Sequence, residues 1–361
     1  MKALLSSLGL AAVLLAACGN DDDGKPNADA GARDAEADAD ASTADASKYV
    51  SPMDLIALVR QADYTADQTA VTGVRTPGSE HWQDVQDSVK LRLTDLGYDV
   101  QLESFHAAPG AYPEFNDGVN IIATKEGTLK PEEIVLVSAH YDHIAGCEGA
   151  DDNASGVAAL LQVAKALSSA NFERTLVIAV WDLEEFGLKG SLDYAAKAKM
   201  RGANIRASFV FDTISYTDTA PNSQTLPEGF SLLFPSADTK VKGNQSKADF
   251  IAAIGDSKSA EPLAGLVAYA GMVGLKAFDL PVPDLVLNSD ILLDLRRSDH
   301  AAFWLNDYPS IFLTDTGNFR NPNYHCLNST HDTVGTTNPE FATKVAKVTV
   351  GAAADALGLR E

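Results

Sequence analysis

Read for residues that could do chemistry, the chain offers acids and imidazoles in an ordered series. His140-Tyr141-Asp142 comes first, followed by Gly149-Ala150-Asp151-Asp152-Asn153-Ala154-Ser155-Gly156. Asp182-Leu183-Glu184-Glu185-Phe186-Gly187 is next, then Phe211-Asp212, then Thr314-Asp315-Thr316 and Tyr324-His325. Imidazole and carboxylate together suit zinc. Five such donors, one of them a carboxylate able to bridge, suit two zinc ions about 3.5–4 Å apart. Each piece alone is ordinary. Asp151-Asp152 before a helix makes a good N-cap pair, a Glu-Glu pair is commonly a solvated turn, and a lone His at a strand end is commonly a satisfied polar residue. The series gains its force from its order and from the elements that carry it.

Those elements alternate. Trp82, Val85, Val89, Leu91 and Leu93 recur at roughly helical spacing, which predicts an amphipathic helix over 79–96 with Gly97 at its stop. Strand-like runs follow at 99–105 and 119–124. Ile134 to Ala139, Leu176 to Trp181, Ser208 to Ile214 and Ser310 to Leu313 are apolar runs suited to buried strands. Residues 154–169 and 339–357 read as helices. Strands alternating with helices predict an α/β class, a three-layer α/β/α sandwich around a mixed, mostly parallel central sheet. Open sheets of this kind place their sites at the carboxyl ends of the strands, which is where His140, Glu184, Glu185 and Asp212 fall. Residues 217–297, with Pro221, Pro227, Pro235, Pro281 and Pro283, are expected to be an irregular insertion shaping the rim of the site.

The motifs together resemble the co-catalytic two-zinc aminopeptidases of bacteria, relatives of glutamate carboxypeptidase and glutaminyl cyclase. The resemblance runs from residue 50 to 357 and rests on HYDH (140–143), GADDNASG (149–156), EEFGLKGS (184–191), FDTISY (211–216), RSDHAAF (297–303) and NPNYH (321–325). It implies the zinc exopeptidase fold and two Zn2+ per chain. His140 and Asp212 would bind one ion, Glu185 and His325 the other, and Asp151 would bridge both. Asp142 would orient the His140 ring. Glu184 would be the general base toward a water held between the ions, and Tyr324 would help stabilise the oxyanion. The resemblance also implies a cis peptide between Asp151 and Asp152.

Of the other histidines, His81 and His106 are expected in surface or packing roles. His300 is expected beside the site rather than as a ligand, and His331 competes with His325. The family places its ligand after Asn-Pro-x-Tyr, which is His325. In the segment that follows, Ser329 stands where an acid is common and His331 where a proline is common. Arg297 is expected near the site or in a surface pair with Asp294. The function implied is removal of N-terminal residues from peptides. Glutaminyl cyclase-like or carboxypeptidase activity on the same fold, or a non-catalytic surface lipoprotein, are the alternatives.

The amino terminus has another character. Met1-Lys2, an apolar run from Ala3 to Ala17 and then Cys18 read as a signal peptide over 1–17. Leu15-Ala16-Ala17-Cys18 resembles the bacterial lipobox, which implies a lipid anchor on Cys18 and an exported, membrane-attached protein of the cell envelope. Residues 19–47 carry nine acids and two bases with no aromatic, Val, Ile or Leu, so 18–47 is expected to be a disordered tether. Residues 48–361 would form the catalytic domain. The whole chain of 361 residues has 45% hydrophobic and 22% charged residues, which excludes a collagen or a wholly disordered chain. Its net charge of −22 disfavours nucleic acid as a partner. Peptides are the expected partners, with no obligate protein partner. Cys147 and Cys326 remain once Cys18 is lipidated. Cys326 directly follows His325 and Cys147 sits four residues before Asp151, so a disulfide is expected in an oxidising compartment. Two separate thiols, or zinc ligation by thiolate, are the other readings.

Overall fold

The computed structural model describes residues 51–108 and 110–360. The expected signal peptide, Cys18 and the whole acidic tether therefore lie outside the described residues. The described residues start with three helices, α1 (Pro52–Ala57), α2 (Gln61–Val71) and α3 (Glu80–Asp95). Ser79 caps α3 by accepting from the Trp82 amide, and Gly97, at φ +85°, turns the chain away after it. Next come β1 (Asp99–His106), β2 (Asp117–Lys125), β3 (Lys130–His140), α4 (Gly156–Ser168), β4 (Arg174–Trp181), α5 (Lys189–Met200) and β5 (Asn204–Phe211). The second half holds α6 (Phe230–Leu233), α7 (Pro235–Gly243), β6 (Ile251–Gly255), α8 (Ala260–Val273), β7 (Ala277–Pro281), α9 (His300–Leu305), β8 (Ile311–Thr314) and α10 (Pro339–Leu357).

The eight strands form one mixed sheet in the order β1-β2-β4-β3-β5-β8-β6-β7. Its centre, β4-β3-β5-β8, is parallel throughout. Both faces are covered, as a parallel centre requires. Val135, Val137 and Ala139 pack with α4 and α10 on one side. Leu136, together with Val177 and Ala179, packs with Tyr194 of α5 and Phe303 of α9 on the other. This strict alternation along β3 makes the three layers. The α4 helix is buried almost all round, which explains why its sequence is apolar on every face. No described helix is long and apolar enough to cross a membrane.

The expectation for 217–297 needs correction. Rather than a purely irregular insertion, the segment contributes β6, α8 and β7, and extends the central sheet beyond β8. Its short apolar runs, Ile251–Gly255 and Ala277–Pro281, are strands of five residues each. Their pairing with β8 and with each other is long-range, so local pattern gave little sign of it.

Candidate active site

The parallel centre ends its strands side by side, and the acids and imidazoles gather there. His140 is the last residue of β3 and fully buried. Its Nε2 lies 3.4 Å from Asp152 Oδ1, 3.5 Å from Asp212 Oδ1 and 4.0 Å from Glu184 Oε2. Its Nδ1 faces the Asp142 main-chain carbonyl at 3.2 Å and the Asp142 carboxylate at 3.6 Å. Asp142 has a second task. Its carboxylate accepts from the amides of Glu184 and Glu185, so one acid holds both the His140 ring and the turn after β4. Asp182 anchors that turn at its start by accepting from the amides of Val119 and Leu183 and from the Trp82 indole. Leu183 and Leu188 adopt left-handed backbone, at φ +59° and +57°. This conformation costs roughly 1–2 kcal/mol for a residue with a Cβ, so the surrounding bonds must impose it.

The second half of the cluster centres on Glu185. Its Oε1 is 2.6 Å from His143 Nδ1 and its Oε2 is 3.2 Å from His325 Nε2. His325 Nε2 also approaches Asp152 Oδ2 at 3.1 Å. Asp152 thus reaches His140 with one oxygen and His325 with the other. Asp151, the residue expected to bridge, does neither. Its Oδ1 accepts from the Ser215 amide and hydroxyl, both at 2.9 Å, and its Oδ2 from the Asn321 side chain at 2.7 Å. The structure therefore moves the bridging position one residue on, to Asp152. The cis peptide moves with it, to Asp152–Asn153. The physical reason is that Asp332, far along the chain, accepts from the amides of both Asp151 and Asp152 and sets which carboxylate turns toward the histidines.

The loop with Tyr324 and His325 is built differently. His325, Cys326, Asn328 and Ser329 all have positive φ. Cys326 is joined to Cys147 by a disulfide with a Cα–Cα distance of 5.6 Å, so the pairing is present. The Tyr324 ring stacks on the His325 ring at 3.9 Å, and its hydroxyl accepts from Arg297 at 3.2 Å. Arg297 also donates to Asn318 at 2.9 Å, while Asp294 is 4.0 Å away, so it does both things expected of it. His331 is exposed. His300 is buried against Phe312 with its Nε2 at the Leu295 carbonyl and does not reach the cluster. His81 faces the Val71 carbonyl and His106 pairs with Asp117.

The electrostatics are those of several acids buried together. Burial pushes Glu184 well above the usual carboxylate range, with help from Asp212, Asp299 and Glu185, while His140 opposes the shift. Burial alone would lower His325, yet Asp152 and Glu185 outweigh it and hold the imidazole up to about 10. His140 Nε2, His143 Nε2, His325 Nε2, Asp152 Oδ1 and Asp212 Oδ1 are buried without a hydrogen-bond partner. Orphaned polar atoms at this depth are costly unless something else satisfies them. They fall into two groups, His140-Asp152-Asp212 and His143-Asp152-Glu185, with atoms within 4.8 Å of one another in each. His325 adjoins the second. Two imidazole-carboxylate groups sharing one carboxylate fit a pair of zinc ions. His143 is the member that sequence reasoning passed over. The HYDH motif contained it, but nothing in its spacing shows that its ring reaches Glu185.

Beside the cluster opens a cleft of about 890 Å3, including solvent at its mouth. Asp212, Thr213, Arg297 and Tyr324 stand at the cluster side, and Phe230, Phe250, Phe278, Ile254, Leu280 and Phe312 line the interior. These come largely from the 217–297 segment, which shapes the site as expected even though its architecture is more regular.

The chain belongs to Peptidase family M28, which it matches over residues 120–352. It is 28% identical over 211 residues to the Uncharacterized protein YfbL of Escherichia coli, covering 55% of this chain and 60% of that protein. It is also 28% identical over 245 residues to a probable leucine aminopeptidase of Trichophyton verrucosum, covering 64% of this chain and 54% of that one. An aminopeptidase from Aneurinibacillus sp. strain AM-1 matches the fold with a TM-score of 0.64 at 14% identity, over 86% of this chain and 97% of that structure. Porphyromonas gingivalis glutaminyl cyclase matches with 0.58 at 16% identity, over 82% and 99%. The chain spans about half to three fifths of the length of the first curated relatives it matches.

Proposed function

We propose that the protein is a zinc-dependent aminopeptidase that removes apolar residues from the N-terminus of peptides. The observation that carries this reading is the placement of Asp152 between two donor groups, with Glu184 buried at their edge. His140, Asp152 and Asp212 would hold one zinc, and Glu185, His325 and Asp152 the other. His143 bonds the far oxygen of Glu185 and fixes which oxygen faces inward. Bound zinc would supply Lewis acidity toward the scissile carbonyl and lower the pKa of water there. Glu184 would take the proton from the attacking water and deliver it to the leaving amine. Its high proton affinity suits it to both halves of that task. Burial keeps the Tyr324 phenol protonated well above its usual range, so its hydroxyl can donate to the developing oxyanion while Arg297 holds it in place.

Direction along the peptide follows from charge. Asp212 stands at the inner end of the cleft, where its carboxylate can receive a free α-ammonium. Among the described residues, the one basic side chain lining the cleft, Arg297, is already engaged by Asn318 and Tyr324, which disfavours gripping a terminal carboxylate. The aromatic and aliphatic side chains that line the interior of the cleft suit an apolar side chain on the substrate. The fold is shared with a glutaminyl cyclase, but two donor groups joined by a carboxylate favour two ions and hydrolysis.

The test compares peptides with free and acetylated N-termini, beginning in Phe, Leu, Ala or Glu, before and after chelation and zinc return. Metal content is measured alongside. Cleavage restricted to free N-termini, with about two zinc per chain, supports the reading. Cyclisation of N-terminal glutamine with one zinc per chain overturns it. The lipid anchor on Cys18 and a place in the bacterial envelope belong to the same proposal. Fractionation of wild type and Cys18→Ser tests them, and a wild-type protein found wholly in the soluble fraction sinks the anchor.

A further inference from the structure

Among the described arginines and lysines, the most deeply buried has no part in the chemistry just described. Arg75 is fully buried, among the largest side chains with no exposure. A buried guanidinium is normally paired with a carboxylate. Arg75 instead spends its donors on main-chain carbonyls. Its Nε donates to Tyr141 at 2.8 Å, and its Nη1 to Val71, Gly73 and Glu148 at 3.0, 3.0 and 2.7 Å. Its Nη2 donates to Gly149 at 2.8 Å and Asp152 at 3.3 Å. Its own carbonyl accepts from the His143 amide at 3.1 Å. One residue therefore joins the loop after α2, the His140–His143 strand end and the Glu148–Asp152 loop.

We infer that Arg75 is a positioning residue that sets the Asp152 carboxylate between His140 and His325. The loop is held from two sides. The Arg75 cation faces the carbonyls of Glu148, Gly149 and Asp152, while the Asp332 carboxyl group accepts from the amides of Asp151 and Asp152. Peptide groups placed this way have their orientation fixed electrostatically as well as by hydrogen bonds. The packing leaves no slack: a Cβ on Gly149, itself at φ +59°, would stand 2.1 Å from the Asp152 carbonyl oxygen, 2.6 Å from the His143 ring and 2.8 Å from Arg75 Nη2. Lysine cannot replace this fork, since its ammonium is a point charge with three donors and cannot span three segments.

The inference rests on the proposed metal site, and its test separates the two. Zinc affinity is measured by chelator competition for wild type, Arg75→Lys and Arg75→Met, with circular dichroism confirming the fold. The visible spectrum of the cobalt-loaded proteins reports ligand geometry without reference to turnover. Arg174→Lys is the control for a purely structural arginine, since Arg174 bonds Glu133 and the Ala356 carbonyl at the opposite end of the sheet. Both Arg75 variants are expected to bind zinc 10- to 100-fold more weakly and to show an altered cobalt spectrum, with Arg75→Lys the less affected. Arg174→Lys should leave affinity and spectrum unchanged even if it melts earlier. Folded Arg75 variants with affinity within twofold of wild type and an unchanged spectrum overturn the inference while leaving the function standing. Failure of both variants to fold overturns it too, because Arg75 would then support the fold rather than the ligand. Wild type that binds no zinc defeats the function itself, and the inference with it.

Discussion

His140 and His325 face the same carboxylate from opposite sides, yet they are held by different means. His140 ends a central strand hydrogen-bonded to neighbours on both sides, and its ring is fixed by Asp142. Asp212 follows directly on another such strand, and Glu184 and Glu185 stand on a turn braced by Asp142 and Asp182. His325 sits on an irregular loop with four left-handed residues, joined by a disulfide to the loop before Asp151. Strand-end residues take their precision from the ladder, which exists for other reasons. A loop residue needs cross-links dedicated to it, so the His325 side should be the easier half of the site to disturb.

The largest effect is expected on the strand-end side, where chemistry rather than geometry is removed. Glu184→Gln should bind zinc and fold as wild type does while kcat falls 10²- to 10⁴-fold or more. Retention of more than about a tenth of kcat at full zinc content would assign the base elsewhere. The two adjacent acids come next. Asp152→Asn should lose zinc affinity at both positions, and Asp151→Asn, which keeps an oxygen for Ser215, should retain both ions with reduced stability. Equal zinc loss in the two variants, measured by elemental analysis after dialysis, would erase the distinction.

The loop side is tested by the cysteines. Cys147→Ser with Cys326→Ser should lower stability by about 2–4 kcal/mol and bring zinc content toward one per chain. The ion held by His140 and Asp212 would be the survivor. Loss of both ions together would show that the halves are not independent. The smallest effect concerns His300, near the site but outside it. Burial holds its imidazole down to about 3, from an ordinary 6.5. Between those values the unfolded chain binds a proton that the native state refuses, so stability falls as pH drops through the window. His300→Phe should remove roughly 2 kcal/mol of that loss between pH 7 and 4.5, at the cost of the bond to the Leu295 carbonyl. Parallel stability–pH curves for the two proteins would contradict it.

Much of this is legible in the sequence. The apolar runs that became β3, β4, β5 and β8 are continuous because both their faces are covered, and that leaves a local mark in sequence. Residues placed just after such runs must emerge at one edge of the sheet. His140, Glu184, Glu185 and Asp212 could therefore be grouped by position alone, and the structure does bring them together. Strand β6 and the edge strand β7 left no comparable mark. They are five residues each, and their pairing depends on partners tens of residues away.

The chain's own order of residues settled which side chains were available at the strand ends and that imidazole and carboxylate would meet there, because strand direction and burial are set by short-range pattern. Which of Asp151 and Asp152 turns inward was decided only by the tertiary structure. The two are neighbours of one type, and no local preference separates them. The choice is made by Asp332 on their amides, by Ser215 and Asn321 on the Asp151 carboxylate, and by Arg75 on the Asp152 carbonyl. The same holds for His143, whose ring meets Glu185 only because β3 and β4 are adjacent. A side chain's identity is carried by the sequence, but its orientation in a loop is fixed by groups brought to it from elsewhere in the fold.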